Sequence, residues 1–240
     1  MKTAPHPWKQ LLRQGLGLFV QQTCPLCDRS SRSCLCPDCQ QRLSHCCHPQ
    51  PWRDRAPTAP DPDSLPLFAW GAYEGELKRA IAALKYEAQP QLAVPLGEWM
   101  AAAWKRHPAP RSLSLPGLVV PIPLHPSKQR ERGFNQAETL ARSFCAIAGL
   151  PLAPHGLRRT RATEAQFRLS SAERQTNLAQ AFAVGESLRQ RPPRHPVLLF
   201  DDIYTTGATI RAATAVLRSQ GIRVTGVIVL ASTRAALTGG

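Results

Sequence analysis

What this sequence lacks excludes several classes of protein. No apolar run approaches the roughly 18 residues that a membrane-spanning helix needs, so we expect no transmembrane segment. The apolar stretch near the N-terminus is interrupted by Arg13, Gln14 and Gly15 and lacks a small-residue cleavage site, which does not fit a secretory signal. Because internal repeats and a secretory signal are both missing, we also exclude collagen, a coiled coil and a secreted disulfide scaffold.

Acidic residues are scarce relative to basic ones. The 240 residues include only 16 Asp and Glu against 30 Lys and Arg, which gives a net charge of +14 at pH 7 and a pI near 10.1. Arg contributes most of this excess, and its planar guanidinium binds phosphate through several donors. Such a charge favours nucleic acid, a phosphorylated small molecule or anionic lipid as a partner, although an Arg-rich composition alone would also produce it.

The composition changes near residue 66, and we expect three regions. Apolar residues make up 43% of the chain, which is enough for a sizeable core. All cysteines but one precede this point, and the stretch before it is rich in proline without any periodicity. We predict an N-terminal helix and zinc-binding module over residues 1–47, a proline-rich linker over residues 48–66 and the main domain over residues 67–240.

From residue 67 onward, short β-rich runs alternate with amphipathic segments. Strands are predicted at residues 67–73, 118–122, 181–184, 197–200 and 224–231. Helices are predicted at residues 74–87, 91–106, 134–148 and 208–220. This alternation predicts an α/β fold with a mostly parallel, doubly wound sheet, in which ligands bind beyond the carboxyl ends of the strands.

The segment from residue 197 to residue 209 carries the clearest chemical signal. A buried strand is followed by Asp201 and Asp202, and then by a turn rich in threonine and glycine that opens a helix. Amides at a helix N-terminus bind phosphate, and adjacent carboxylates suit a ribose diol or a magnesium ion. The segment predicts a ribose-phosphate pocket, although an Asp-capped helix or a magnesium-holding acidic pair would have similar residues. The predicted phosphate-binding residues are Thr205, Thr206, Gly207, Ala208 and Thr209.

Three segments together carry a family resemblance. Residues 197–209 resemble the 5-phosphoribosyl 1-diphosphate (PRPP) motif of type I phosphoribosyltransferases. Residues 119–138 and residues 159–177 resemble segments of the ComF/GntX family, and all three occur in that family's order. With the cysteines, the resemblance spans essentially the whole chain. It implies a type I phosphoribosyltransferase-like fold with a small N-terminal zinc-ribbon module.

The resemblance also implies roles for individual side chains. Asp201 and Asp202 would be the catalytic carboxylates and would hold the ribose hydroxyls, while Asn135 would cap or orient the helix that follows it. The basic side chains expected at the diphosphate, together with magnesium, are Lys128, Arg130 and Arg132. The basic side chains expected from a mobile lid are Arg161 and Arg168. A basic solvated turn and a flexible loop remain the alternatives for these two segments.

The cysteines form a pattern that is typical of a metal site. Two C-x-x-C pairs are separated by eight residues, and four thiolates would complete a tetrahedral, structural zinc site. The predicted ligands are Cys24, Cys27, Cys36 and Cys39. Disulfides and an iron–sulfur cluster are the alternatives. Cys34 is an alternative to Cys36 as a ligand of this site. A second metal site at Cys46, Cys47 and His48 is left open.

Three functions fit these observations. The family resemblance implies a role in natural competence, in which the chain assists uptake or processing of single-stranded DNA beside a ComFA-like helicase. An active phosphoribosyltransferase acting on PRPP and an unknown acceptor is the second reading. A non-catalytic sensor of PRPP or a nucleotide is the third, and the motif does not decide whether turnover occurs. We expect a cytoplasmic location, or a peripheral one at the inner face of the membrane with the uptake machinery.

Overall fold

The computed structural model describes residues 22–53, 65–111, 113, 116–160 and 181–233. The strands are β1 (Gln22–Thr23), β2 (Ser30–Ser31), β3 (Trp52–Arg53), β4 (Leu67–Ala72), β5 (Leu118–Pro121), β6 (Leu157–Arg159), β7 (Phe182–Val184), β8 (Val197–Tyr204) and β9 (Val224–Ser232). The α-helices are α1 (Pro37–Ser44), α2 (Gly75–Tyr86), α3 (Ala93–Arg106), α4 (Pro126–Arg132), α5 (Gln136–Ala148), α6 (Glu186–Gln190) and α7 (Ala208–Ser219). A short 3-10 turn, Pro90–Leu92, precedes α3.

One five-stranded sheet organises these elements. Its strand order is β3-β4-β9-β8-β5. The strands β4, β9, β8 and β5 are parallel, while the edge strand β3 pairs antiparallel with β4. The carboxyl ends of the four parallel strands therefore lie at one edge, where doubly wound folds bind their ligands. The predicted α/β fold with a mostly parallel sheet is confirmed.

Apolar side chains cover both faces of the sheet. Phe68 and Trp70 of β4 pack with α1, α2, α3 and α5, whereas Leu67 and Ala69 pack with α6, α7 and the β6–β7 hairpin. Successive side chains of a strand point to opposite faces, so a strand that is covered on both faces needs an unbroken apolar run. This burial explains why these strands were recognisable in the sequence. No described helix has the length and apolar character needed to cross a bilayer.

The cysteine-rich segment packs directly on the main sheet. Leu26, Leu35 and Leu43 are buried in the same core cluster as Phe68 and Leu77. The chain then continues along the sheet, where the His48 amide donates to the Trp70 carbonyl at 2.7 Å and β3 pairs with β4. Within the described ranges the cysteine segment and the main sheet thus share one core. The predicted N-terminal helix and most of the predicted linker lie outside the described residues, so these region boundaries stay predictions.

Candidate functional site

The turn between β8 and α7 begins the candidate site. Gly207 has a left-handed conformation (φ +74°, ψ 2°) and is the N-cap of α7, a helix of 12 residues. A Cβ atom at this position would lie 2.2 Å from the Tyr204 hydroxyl, so the turn needs glycine for space as well as for its backbone angles. The first amides of α7 lie directly behind this turn, at a helix end that favours anions.

Hydroxyl groups line the same turn. Thr205 and Thr206 are exposed, whereas Thr209 is half-buried in the first turn of α7. The Thr206 hydroxyl accepts from the Ala208 amide at 3.4 Å, and the Thr206 carbonyl accepts from Arg211 at 2.9 Å. These contacts fix the turn in one conformation and leave two exposed hydroxyls beside a helix N-terminus. The arrangement suits a phosphate group.

The two aspartates occupy successive positions of β8. The strand continues to Tyr204, four residues beyond the predicted end. The alternation of faces does not continue through this pair, since Ile203 packs with the layer of Phe200 and Tyr204 packs with the layer of Leu199. Asp202 is buried and Asp201 is half-buried, so the two carboxylates have different surroundings.

Asp202 is buried and pairs with a lysine from α2. The distance between Lys85 Nζ and Asp202 Oδ2 is 2.7 Å, and the side chains are only 14% and 5% exposed. Sequence reasoning missed Lys85, although a signal was present. Lys85 follows Ile81 by four residues and Leu77 by eight, on the apolar stripe of the helix, where a cation needs a buried partner.

Asp201 has an unusual titration. Burial and the neighbouring Asp202 carboxylate raise the pKa of Asp201 well above its ordinary value. The Asp202 amide donates to Asp201 Oδ1 at 2.8 Å, and Lys85 also favours the ionised form, but both effects are smaller. Arg159 of β6 is attracted to Asp201, and its guanidinium stacks on Phe182 at 5.4 Å from the ring centroid. Asp201 therefore holds a proton at pH values where an ordinary aspartate has lost it.

The basic segment after β5 is a short helix rather than the expected loop. Pro126 occupies the first turn of α4, the His125 side chain accepts from the Ser127 amide, and Gly133 ends the helix in a left-handed conformation. The predicted diphosphate-binding residues lie on this helix, and Lys128 and Arg130 are exposed. Arg132 instead donates to Gln136 and stacks on the Tyr86 ring at 5.5 Å.

Asn135 joins the start of α5 to the end of β5. Its side chain accepts from the Ala137 amide and donates to the Ile122 carbonyl, each at 3.1 Å. The Ile122 amide in turn donates to the Phe200 carbonyl of β8 at 2.8 Å. The predicted capping role is confirmed, and these bonds attach the segment after β5 to the strand that carries the aspartates.

The predicted lid arginines, Arg161 and Arg168, lie outside the described residues. The ends of their segment are described, because β6 and β7 pair antiparallel and the Thr160 amide donates to the Ala181 carbonyl at 2.8 Å. The segment therefore leaves and re-enters the described structure at one point, beside Arg159. The contribution of these two arginines stays a prediction.

The four predicted metal ligands come together. The sulfur atoms of Cys24, Cys27, Cys36 and Cys39 all lie within 4.8 Å of one another. The Cys27 and Cys36 sulfurs are 3.4 Å apart, close to the roughly 3.8 Å separation implied by tetrahedral zinc–sulfur bonds. Within the described ranges, no other group of three or more potential metal ligands is found. The donor set fits zinc and favours Cys36 over Cys34, whereas magnesium has no comparable support.

Hydrogen bonds around the cysteines favour thiolates unequally. Burial opposes ionisation of the Cys24 thiol, but backbone hydrogen bonds from Cys36 and Leu26 lower its pKa to about 7. Burial raises the pKa of Cys39 to about 12, although Arg42 donates to its sulfur at 3.1 Å. A bound metal would supply the charge needed to ionise Cys39. Arg42 also pairs with Glu76 of α2 at 3.9 Å, so it links the cysteine cluster to the main domain.

Several known proteins are similar to this chain in sequence. The chain is 30% identical to competence protein F of Haemophilus influenzae over 152 residues, which cover 63% of this chain and 66% of that protein. It is 28% identical over 221 residues to DNA utilization protein YhgH of Escherichia coli K12, with 88% of this chain and 90% of that protein covered. Competence protein ComFC of Bacillus subtilis is 25% identical over 213 residues, with 87% and 77% covered.

Family profiles and solved structures give no strong match to this chain. No protein-family profile matches the chain. A solved structure described as the allosteric regulatory enzyme of purine biosynthesis is 20% identical, with a TM-score of 0.36 over 59% of this chain and 25% of that one. A TM-score of 0.36 is a weak likeness.

The fold and the site define an α/β protein that combines an anion-suited helix N-terminus with a four-cysteine cluster. Among proteins of that class, the relatives named competence protein F, ComFC and YhgH match most of the chain. The chain belongs to the ComF family, which confirms the resemblance found in the sequence.

Proposed function

We propose that this chain assists uptake or utilisation of DNA and binds a ribose phosphate such as PRPP at the β8–α7 turn. The observation that carries the proposal is the left-handed Gly207, which opens α7 directly after a strand that contains two carboxylates. The helix N-terminus suits a phosphate, and Asp201 suits a ribose hydroxyl. The names of the relatives, competence protein F and DNA utilization protein YhgH, support the setting.

The proposal assigns a supporting role to Asp202. Its carboxylate is buried and paired with Lys85, whereas Asp201 is half-buried. Asp201 would therefore contact the sugar, and Asp202 with Lys85 would hold β8 and α2 together behind it. The exposed Lys128 and Arg130 on α4 would reach the diphosphate, with magnesium supplied by the ligand complex. A structural zinc ion would be held by the four clustered cysteines.

The proposed cellular partners follow from the same role. Single-stranded DNA would bind to the basic surface, and a ComFA-like helicase would deliver it. Such a role would place the chain in the cytoplasm, at the inner face of the membrane during uptake.

Isothermal titration calorimetry with PRPP and magnesium tests the pocket. The Asp201→Asn variant should bind at least about tenfold more weakly than wild type, since it loses the carboxyl partner of a ribose hydroxyl. Glu138→Gln is the matched control, because Glu138 is an acidic residue whose partner is the exposed Arg142. Equal affinity in wild type and Asp201→Asn would remove the pocket from the proposal. Release of diphosphate that requires an added acceptor base in the same samples would identify an active transferase, because the phosphoribosyl group then has a group to join.

A further inference from the structure

Tyr86 is unusually exposed for an aromatic residue in this protein. It retains 78% of its surface, while every other aromatic residue in the described ranges is buried or half-buried. Aromatic residues make up only 6% of the chain, so an exposed ring is not a consequence of an aromatic-rich composition. Tyr86 is the last residue of α2, and the core does not account for its position.

Arg132 is held against this ring. Its guanidinium lies 5.5 Å from the ring centroid and also donates to Gln136, which is buried at the start of α5. An arginine that is fixed at both the ring and a buried amide presents an ordered planar surface beside the tyrosine. Two adjoining planar groups of this kind are what a nucleobase stacks on.

Lys85 and Lys128 lie beside this pair, as do the exposed Glu87 and Glu131, and Lys85 connects the pair to the candidate site. Lys128 precedes Arg132 by four residues and therefore lies on the same side of α4. On the other element, Lys85 immediately precedes Tyr86 and is bonded to Asp202 of β8. An exposed ring, a stacked guanidinium and a neighbouring ammonium group match a base together with its adjoining phosphates.

We propose that Tyr86 and Arg132 form a stacking site for a base of single-stranded DNA, with Lys128 contacting an adjacent phosphate. This inference rests on the proposed function and specifies which part of the nucleic acid the protein contacts. Stacking on a ring tolerates any base, so the site gives affinity without sequence preference. Its contribution is separable from phosphate contacts, because stacking releases no counterions and leaves the salt dependence unchanged.

Fluorescence anisotropy with two labelled strands of equal length tests the proposal. One strand is oligothymidine, and the other has the same sugar–phosphate backbone without bases. Wild type should bind oligothymidine roughly fivefold to a hundredfold more tightly than the abasic strand. Tyr86→Ala should lose most of that difference with an unchanged salt slope, whereas Tyr86→Phe should retain it. Lys128→Ala should weaken both strands alike and reduce the salt slope by roughly 0.7. Val94→Ala, at another exposed apolar residue, is the matched control and should bind as wild type.

Three results would overturn the inference. The first is equal binding of oligothymidine by wild type and Tyr86→Ala, which would leave the proposed DNA role intact. The second is a Tyr86→Ala variant that weakens both strands equally, which would indicate lost backbone contact rather than stacking. The third is no binding of either strand by wild type at low salt, which would also remove DNA from the proposed function. The PRPP titration is independent of all three.

Discussion

At the scale of single residues, Gly207 shows how strongly the candidate site depends on one backbone conformation. Its φ of +74° is costly for any residue with a side chain, and a Cβ would also collide with the Tyr204 hydroxyl. Gly149, which ends α5, has nearly the same φ of +73° but open space around a Cβ. The two positions therefore separate the cost of the backbone angle from the cost of the collision.

We expect Gly149→Ala to lower the free energy of unfolding by about 1 kcal/mol, since only the left-handed angle is penalised. Gly207→Ala should lower it by about 2–3 kcal/mol, because the Tyr204 side chain must also move. Urea unfolding of the three proteins measures both values. Gly207→Ala should in addition weaken PRPP binding, whereas Gly149→Ala should not. Equal losses of stability in both variants would show that the turn has room for a side chain.

The raised pKa of Asp201 predicts a pH dependence of stability. The folded protein holds a proton on Asp201 at pH values where the unfolded chain, with an ordinary pKa near 3.8, has lost it. The contribution of this group therefore falls as the pH rises from 3.8 through the folded pKa.

Asp201→Asn removes this titration because the amide stays neutral. We expect the stability of the variant relative to wild type to be higher near pH 8 than near pH 5. Urea unfolding of both proteins at the two pH values measures the difference. A difference that does not change with pH would show that Asp201 titrates normally in the folded protein.

At the scale of elements, the sequence predicted the strands and helices in which apolar residues recur with a regular spacing. The strands β4, β5, β8 and β9 have continuous apolar runs because both of their faces are covered, and α2, α3, α5 and α7 have apolar stripes. The helix α4 was missed because it buries no residue and therefore has no stripe. Its signals were the terminal Pro126 and Gly133 alone. The two-residue strands are too short for any period to be visible.

Part of the candidate site could also be read from the sequence. The clustering of the four cysteines was predicted, because the distances within a C-x-x-C turn are set locally. The contact between Lys85 and Asp202 was not, because it joins residues more than a hundred positions apart and depends on how α2 crosses the sheet. Contacts between residues that are distant in the sequence can be identified only when the tertiary fold is known.

The cysteine cluster allows a prediction at this scale, because its segment shares a core with the main sheet. Purified protein should contain about one equivalent of zinc, which follows from four thiolates at one site. Cys36→Ser should lose the metal and lower the melting temperature of the whole described unit in a single transition, since Leu43 and Leu77 pack in one core. Elemental analysis and thermal unfolding by circular dichroism measure the two effects.

Cys34→Ser is the matched control for the metal site. Cys34 lies in the same segment but outside the four-sulfur group, so its variant should retain zinc. Full zinc content in Cys36→Ser would move the assignment to Cys34 or Cys46. A separate, early transition for the cysteine segment would show that it unfolds independently of the sheet.

At the scale of the whole molecule, charge is the dominant property. The net charge of +14 favours an anionic partner, which the proposed function takes to be single-stranded DNA. Part of this charge is already paired, since Arg29 lies against Asp38 in an exposed ion pair, but such pairs contribute little and exchange readily. Arg32 is also exposed in the same segment. The cysteine segment therefore presents cations to solvent beside the four-cysteine cluster, of which they are not part.

These charges predict binding of single-stranded DNA that depends steeply on salt. If three phosphates are contacted, the affinity should fall roughly tenfold for a threefold rise in salt, because each contact releases condensed counterions. Charge reversal at Arg29 and Arg32 should weaken binding to oligothymidine, oligoadenosine and mixed strands by the same factor, since phosphate contacts carry no base information. Zinc content should stay at the wild-type value, because neither side chain is a metal ligand. Anisotropy titrations over a salt series measure the slope. A flat salt dependence would show that the excess of Arg is not used for DNA, and would leave the ribose-phosphate pocket as the part of the proposed function still to be tested.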